Sequence, residues 1–203
     1  MNDTLNIFLQ WFGDHGLEIF GVAAGLLYIW LEIKQKPCMW MVGFISSLIY
    51  VWVYFQSKVY GYATLYVYYT AISVYGWYRW RYARQPDGGA AELKVSRLRL
   101  SLTFVLTVIS AVLYAGTGYA LEQFTDSPIP YFDALGVSLS IVATWMLAHK
   151  ILEHWMLWIF VNFFSSALCF YRGLYPTAGL FVVYGIMSVV GWFKWKRCLM
   201  ISE

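Results

Sequence analysis

The chain has 203 residues, 61% of them hydrophobic and 12% charged, and its mean hydropathy is +0.58. Soluble domains average about 45–50% apolar and about 25% charged residues, so a water-facing globule is excluded, and so is a disordered chain, because this much apolar surface demands burial. The net charge is a modest +3, the aromatic share is 21%, and Cys38, Cys169 and Cys198 form no CxxC pair, which leaves neither a disulfide framework nor a zinc site.

Runs free of Asp, Glu, Lys, Arg and His mark the elements in chain order. Residues 1–16 read as a short amphipathic lead-in, with no basic segment and small-residue cleavage site of the kind a signal peptide carries. The first apolar run, 19–31, has 13 residues and reaches spanning length if Glu18 and Glu32 sit at the interface. The runs 37–57 and 59–78 follow, with 21 and 20 residues. The segment 81–97 is polar, contains glycine and reads as a linker. Residues 100–121 form a run of 22, within a linking helix placed at 98–119. The runs 134–148, 155–171 and 173–193 have 15, 17 and 21 residues. Crossing the hydrocarbon takes about 20 helical residues, so seven transmembrane helices in an all-α membrane protein are predicted. Pro37, Pro86, Pro128, Pro130 and Pro176 all fall in loops or at helix starts, where proline is harmless. Residues 196–203 form a short tail.

Lysine and arginine orient the chain. With seven spans, the face holding the N-terminus carries Lys58 and Arg172, and the opposite face carries the other twelve cations. The positive-inside rule places that opposite face, and the C-terminus, in the cytoplasm, with the N-terminus outside. The basic runs 79–84 and 194–197 therefore read as topology signals, with no nucleic-acid partner.

Residues 17–80 align on 132–195 at a constant offset of 115, with 16 identities in 64 positions. The matches include Trp30 with Trp145, Trp40 with Trp155, Trp77 with Trp192, Trp80 with Trp195, and Gly76 with Gly191. Each copy holds three spans, and the single span between them restores the direction. The expected layout is 3+1+3, two parallel three-helix bundles related by an axis near the membrane normal, a symmetry in which the substrate site lies at the repeat interface.

The second span of each unit centres near Ser47 and Asn162. Trp155, Trp158 and Asn162 are spaced i, i+3, i+7 and share one helix face, which Ser165 and Ser166 continue. The counterparts in the first unit are Trp40, Gly43 and Ser47, followed by Tyr50, while Tyr69 and Tyr184 add equivalent hydroxyls from the third spans. A stripe of indoles ending in an amide at mid-bilayer suits a flat ring, held by stacking and fixed by hydrogen bonds. The competing reading makes Trp155 part of the interfacial belt and the Asn and Ser mere helix–helix bonds. No ionisable residue lies near the centre of any span, so the usual proton-relay parts are missing and an uncoupled carrier is favoured. Glu32 reads as an interfacial acid, with a cavity-facing, cation-attracting role as the alternative. His149 and His154 lack partners for a metal site, and no cofactor is expected.

The sequence resembles the PnuC-type vitamin transporters, whose members carry nicotinamide riboside, with branches that carry thiamine or riboflavin. The resemblance spans 17–197 and rests on WxxWxxxN at 155–162, YGWYRW at 75–80, RGLYPTA at 172–178 and GWFKW at 191–195. It implies a fold similar to a fused pair of three-helix sugar-carrier (SWEET-like) units with an added linking helix. It also implies facilitated diffusion by alternating access, trapping of the vitamin by a cytoplasmic kinase, and a homotrimer in the bacterial inner membrane. By the same signature Trp155, Trp158 and Asn162 would contact substrate. The segments IKQKPCMW (33–40) and YVYYTAISVYGWY (66–78) resemble the thiamine branch nearly as closely. Thiamine and nicotinamide riboside are both cations, which aromatic faces favour by roughly 0.5–2 kcal/mol per contact, so cation–π attraction does not separate them. Other classes fit less well. A retinal receptor needs a lysine within the last span, no catalytic Ser/His or paired Asp is found for an enzyme, and a non-transporting scaffold or receptor remains as the alternative.

Overall fold

Seven helices form among the described residues of this computed structural model, which are 2–56, 60–82 and 93–202. They are α1 (Asn2–Ile33), α2 (Met39–Gln56), α3 (Tyr60–Arg81), α4 (Leu100–Phe124), α5 (Pro130–Ala148), α6 (His154–Tyr171) and α7 (Tyr175–Ser202). Lys58, Pro86 and most of the 81–97 linker lie outside the described residues, as do the side chains that would make 1–16 amphipathic. The backbone of 2–16 continues directly into the first span as α1 instead of standing apart. At the other end α7 continues through most of 196–203, to Ser202. α4 extends five residues beyond 119.

Five of the helices are long and apolar enough to cross a membrane: α2, α4, α5, α6 and α7. The apolar part of α1 is the shorter stretch Ile19–Ile33. α3 has 22 residues but carries seven tyrosines, whose hydroxyls lower its hydropathy although their rings are largely apolar. The outer surface is apolar. In α4, Leu106 and Gly118 are buried, while Leu100, Phe104, Val112 and Tyr119 stand exposed, as a helix bathed in hydrocarbon requires.

α1 packs on α2 and α2 on α3; α5 packs on α6 and α6 on α7. Across the molecule α1 meets α7 and α3 meets α5, while α4 leans on α5. Leaving α4 aside, this pattern maps onto itself when α1, α2 and α3 are exchanged with α5, α6 and α7. The connections repeat atom for atom. Lys36 N donates to Leu31 O at 3.0 Å, and Ile151 N to Met146 O at 3.1 Å, each pair 115 residues from the other. Gln35 and Lys150, also 115 apart, both take the left-handed backbone conformation, with φ of 55° and 51°.

Two indoles lace these connections together reciprocally. Trp80 Nε1 donates to the Leu147 carbonyl at 3.3 Å, and Trp195 Nε1 to the Glu32 carbonyl at 3.1 Å. Trp40 and Trp155, both fully buried, lie flat against Gly76 and Gly191, where any side chain would occupy the ring's space. Residues 93–99 lie across the α5–α6 connection. There Ser96 bonds Lys150 and Leu152, and the Leu98 amide donates to Glu153 Oε2 at 2.8 Å. At the opposite end Arg172 bonds Asp133 at 2.7 Å, and Gly173, with φ 75°, turns the chain out of α6.

Candidate functional site

A cavity of about 310 Å³ opens between α1 and the indole face of α6. α1 contributes Gly21, Gly25, Tyr28 and Glu32, at spacings of four, three and four that form one helix stripe, with Ala24 and Ile29 beside them. α6 contributes Trp155, Trp158 and Asn162; α2 adds Ser46 and Tyr50, α3 adds Tyr66, and α7 adds Tyr184. The two glycines are needed for close approach, since the hydroxyls of Tyr50 and Tyr184 lie where a Cβ at Gly21 and Gly25 would stand.

The two ends of the cavity differ in chemistry. At one end tyrosines gather: Tyr66 sits 5.0 Å from Tyr50 and 5.4 Å from Tyr54, ring centre to ring centre. At the other, Trp155, Trp195 and His154 close the floor with no exposed surface, and His154 packs 4.7 Å from Trp155 and 4.9 Å from Trp195.

The polar groups are positioned by neighbours. Asn162 Nδ2 donates to Ser188 Oγ at 3.2 Å, and Ser188 donates on to the Tyr184 carbonyl at 2.8 Å. One amide N–H is thereby used, leaving Asn162 Oδ1 and the second N–H for a partner in the cavity. The indole nitrogens of Trp155 and Trp158 are buried without a hydrogen bond among the described residues. Trp40 Nε1, outside this cavity, is unpaired in the same way; what distinguishes Trp155 and Trp158 is that both indoles line the cavity, beside the half-used amide of Asn162. Glu32 Oε1 lies 3.1 Å from His154 Nε2, both side chains almost wholly buried.

Of the nine candidate residues, Trp155, Trp158, Asn162, Tyr50 and Tyr184 converge on this cavity. Trp40, Ser47, Tyr69 and Ser166 lie elsewhere. Trp40 lines a second hollow of about 320 Å³ with Phe44, Ser73 and Trp77. Ser47 bonds the Gly43 carbonyl and accepts from Thr70 at 3.0 Å, joining α2 to α3. Ser166 donates to the Ala178 carbonyl at 2.9 Å, joining α6 to α7. Tyr69 is partly buried against the core and packs beside Tyr66 and Tyr68, with ring centres 5.7 Å and 5.6 Å away. The lining residues Tyr28, Ser46 and Tyr66 were not anticipated. The α1 stripe is their one clear sequence signal, because its four positions share a helical face with no charge until Glu32.

Apolar helices enclosing an aromatic, sparsely charged cavity at membrane depth define a membrane transporter of the polytopic helical class. The chain belongs to the nicotinamide mononucleotide transporter family, whose sequence model matches residues 15–197. It is 26% identical to the nicotinamide riboside transporter PnuC of Escherichia coli over 88% of this chain and 84% of that one. It is 28% identical to PnuC of Neisseria mucosa, over 91% and 73%. It is also 28% identical to the riboflavin/roseoflavin transporter RibM of Streptomyces davaonensis, over 88% and 83%. The fold is similar to the crystal structure of a vitamin B3 transporter PnuC, with a TM-score of 0.73, 24% identity, and coverage of 98% of this chain and 88% of that one.

Proposed function

We propose that this protein carries nicotinamide riboside across the bacterial inner membrane by facilitated diffusion, and that the cavity between α1 and α6 is its binding site. The observation that carries the reading is the α6 wall. There two unpaired indole N–H groups and a half-used amide share one face. Flat indoles accept the pyridinium ring by stacking and cation–π attraction. The free groups of Asn162 complement a carboxamide, which offers both a donor and an acceptor, and the indole donors suit the ribose oxygens.

The unphosphorylated form is favoured over the mononucleotide that the family's description names. Among the described residues the cavity lining contains no lysine or arginine, and its one acid is Glu32. A phosphate there would meet no cation and one carboxylate, the unpaired-charge arrangement by which sites reject a ligand. Titration of the purified protein is expected to give saturable binding of nicotinamide riboside and a mononucleotide Kd at least about tenfold weaker, equivalent to about 1.4 kcal/mol. Equal affinity would overturn the assignment.

Thiamine is the second reading, favoured by the 33–40 and 66–78 segments, and the same titration with thiamine decides between them. A scaffold or receptor without transport is favoured instead if no vitamin shifts the melting temperature.

The mechanism we infer is alternating access between two parallel three-helix units, 17–80 and 132–195, joined by the helix that starts near 98. The connections that repeat at 115 residues and the reciprocal Trp80 and Trp195 bonds support this symmetry. The units rock so that the tyrosine end and the indole end open in turn. The distribution of lysine and arginine supports a cytoplasmic indole end, an outer N-terminus and an inner C-terminus. Phosphorylation by a cytoplasmic kinase would trap the vitamin, and the assembly would be a homotrimer.

A further inference from the structure

We propose that a cationic ligand entering this cavity displaces the proton that Glu32 and His154 share, making Glu32 the residue that selects for ligand charge. The inference rests on the cavity being the vitamin site and adds a proton to its binding reaction.

Hydrogen-bond arithmetic places that proton. His154 Nδ1 lies 2.6 Å from the Ile151 carbonyl, and a carbonyl only accepts, so Nδ1 carries a hydrogen. His154 Nε2 lies 3.1 Å from Glu32 Oε1, and that contact is a hydrogen bond only if one of the two atoms is protonated. With the proton the pair is neutral overall; without it, it carries one negative charge. Little solvent-accessible surface is left to either side chain, since His154 is fully buried and Glu32 exposes 4% of its side chain. In the absence of a cation the proton therefore stays, because an uncompensated buried carboxylate is strongly disfavoured.

A ligand cation supplies the missing compensation. Glu32 lines the cavity on the α1 stripe, across from the indoles of Trp155 and Trp158. A pyridinium or thiazolium ring between them neutralises the carboxylate; the shared proton departs to bulk water, and the Nε2–Oε1 hydrogen bond it made is lost and replaced by the carboxylate's attraction to the ligand cation. Competing charges around the pair are few. The titratable neighbours are the phenols of Tyr28 on α1, which lines the same cavity, and of Tyr68 and Tyr69 on α3, which pack against the same core; phenols ordinarily keep their protons up to about pH 10. α7 presents Trp195, which is neutral and donates to the Glu32 carbonyl. Lys150, in the α5–α6 connection, reaches the Gln35 side chain at 3.4 Å and lies over the Trp80 ring at 4.4 Å.

The sign follows from linkage: a ligand whose binding releases a proton binds more tightly as pH rises, up to tenfold per pH unit for one proton. The test compares nicotinamide riboside with its reduced 1,4-dihydro form, which keeps the shape but has no ring charge. Affinities of both for the purified full chain are measured from about pH 5.5 to about pH 9, spanning a histidine–carboxylate titration. Calorimetry in two buffers of different ionisation enthalpy counts the protons released. The expected result is proton release and rising affinity for the cation alone, with Glu32→Gln removing both the slope and the preference for the charged form. If wild type binds both forms with the same flat pH profile and no buffer-dependent heat, the proposal is overturned while the binding site stands. If neither form binds, the site assignment fails, and the proposal with it.

Discussion

Replacing Asn162 by alanine is expected to weaken nicotinamide riboside binding by about 10- to 100-fold, the range for leaving a buried polar group without its partner. The cavity is aromatic and offers few other polar side chains, so a carboxamide that loses Asn162 finds no equivalent partner in its lining. The structural cost should be small by comparison. Asn162 bonds Ser188, and Ser188 keeps its own bond to the Tyr184 carbonyl. A loss of about 1 kcal/mol in stability accounts for that bond, and the protein should still insert and melt cooperatively. Calorimetric titration of the detergent-purified variant beside its thermal melt separates the two effects. A folded Asn162→Ala protein with wild-type affinity would remove α6 from the site.

Gly191→Ala is expected to be strongly damaging for a single added methyl. An added Cβ would stand 2.5–2.6 Å from three ring atoms of Trp155. That ring is fully buried and packed against Trp195 and His154 at 5.7 Å and 4.7 Å, so it can yield only by moving into the cavity it lines. Overpacking of this kind costs typically about 1–3 kcal/mol. Because Trp155 is also the cavity floor, ligand affinity should fall along with stability. Gly136→Ala is the control: nothing lies within 4 Å of its Cβ, so it should be neutral or stabilising by up to about 1 kcal/mol through helix propensity. Equal melting temperatures for the two variants would show that the glycine–indole contact does not constrain the floor.

The helices were legible because membrane burial leaves charge-free runs. The sixth helix, expected over about 154–171, forms over His154–Tyr171. Where the ends differ, the charge-free criterion is the reason. It stops at the first ionisable side chain, whereas helical hydrogen bonding continues into water, carrying α4 past Glu122 and α7 past Lys194, Lys196 and Arg197. On the site, the i, i+3, i+7 spacing of Trp155, Trp158 and Asn162 brings all three to one wall, because a helix face follows directly from sequence.

Extending that face to the first unit by the repeat worked less well, and the reason lies in paired sizes. Gly43 lets the Tyr28 ring approach within 2.9 Å of where its Cβ would be. At the equivalent positions Trp158 replaces Gly43 and Ala143 replaces Tyr28, so the bulk sits on α1 in one copy and on α6 in the other. Equivalent residues therefore meet different surroundings. Trp40 packs edge-on against Trp80 at 5.7 Å, away from the main cavity, while its counterpart Trp155 lines it. Ser46 and Ser47 differ by one residue, about 100° around the helix, and depth in the membrane alone does not distinguish them. Glu32 was visible as an acid at a span end. Its pairing with His154 was not, since 122 residues separate them.

Uptake of radiolabelled nicotinamide riboside into proteoliposomes holding only this protein tests the central claim most directly. The predicted result is protein-dependent entry that needs no ion gradient and levels off when the inside and outside concentrations are equal. Uptake no faster than in protein-free vesicles, or accumulation only when an ion gradient is imposed, would contradict a facilitated carrier.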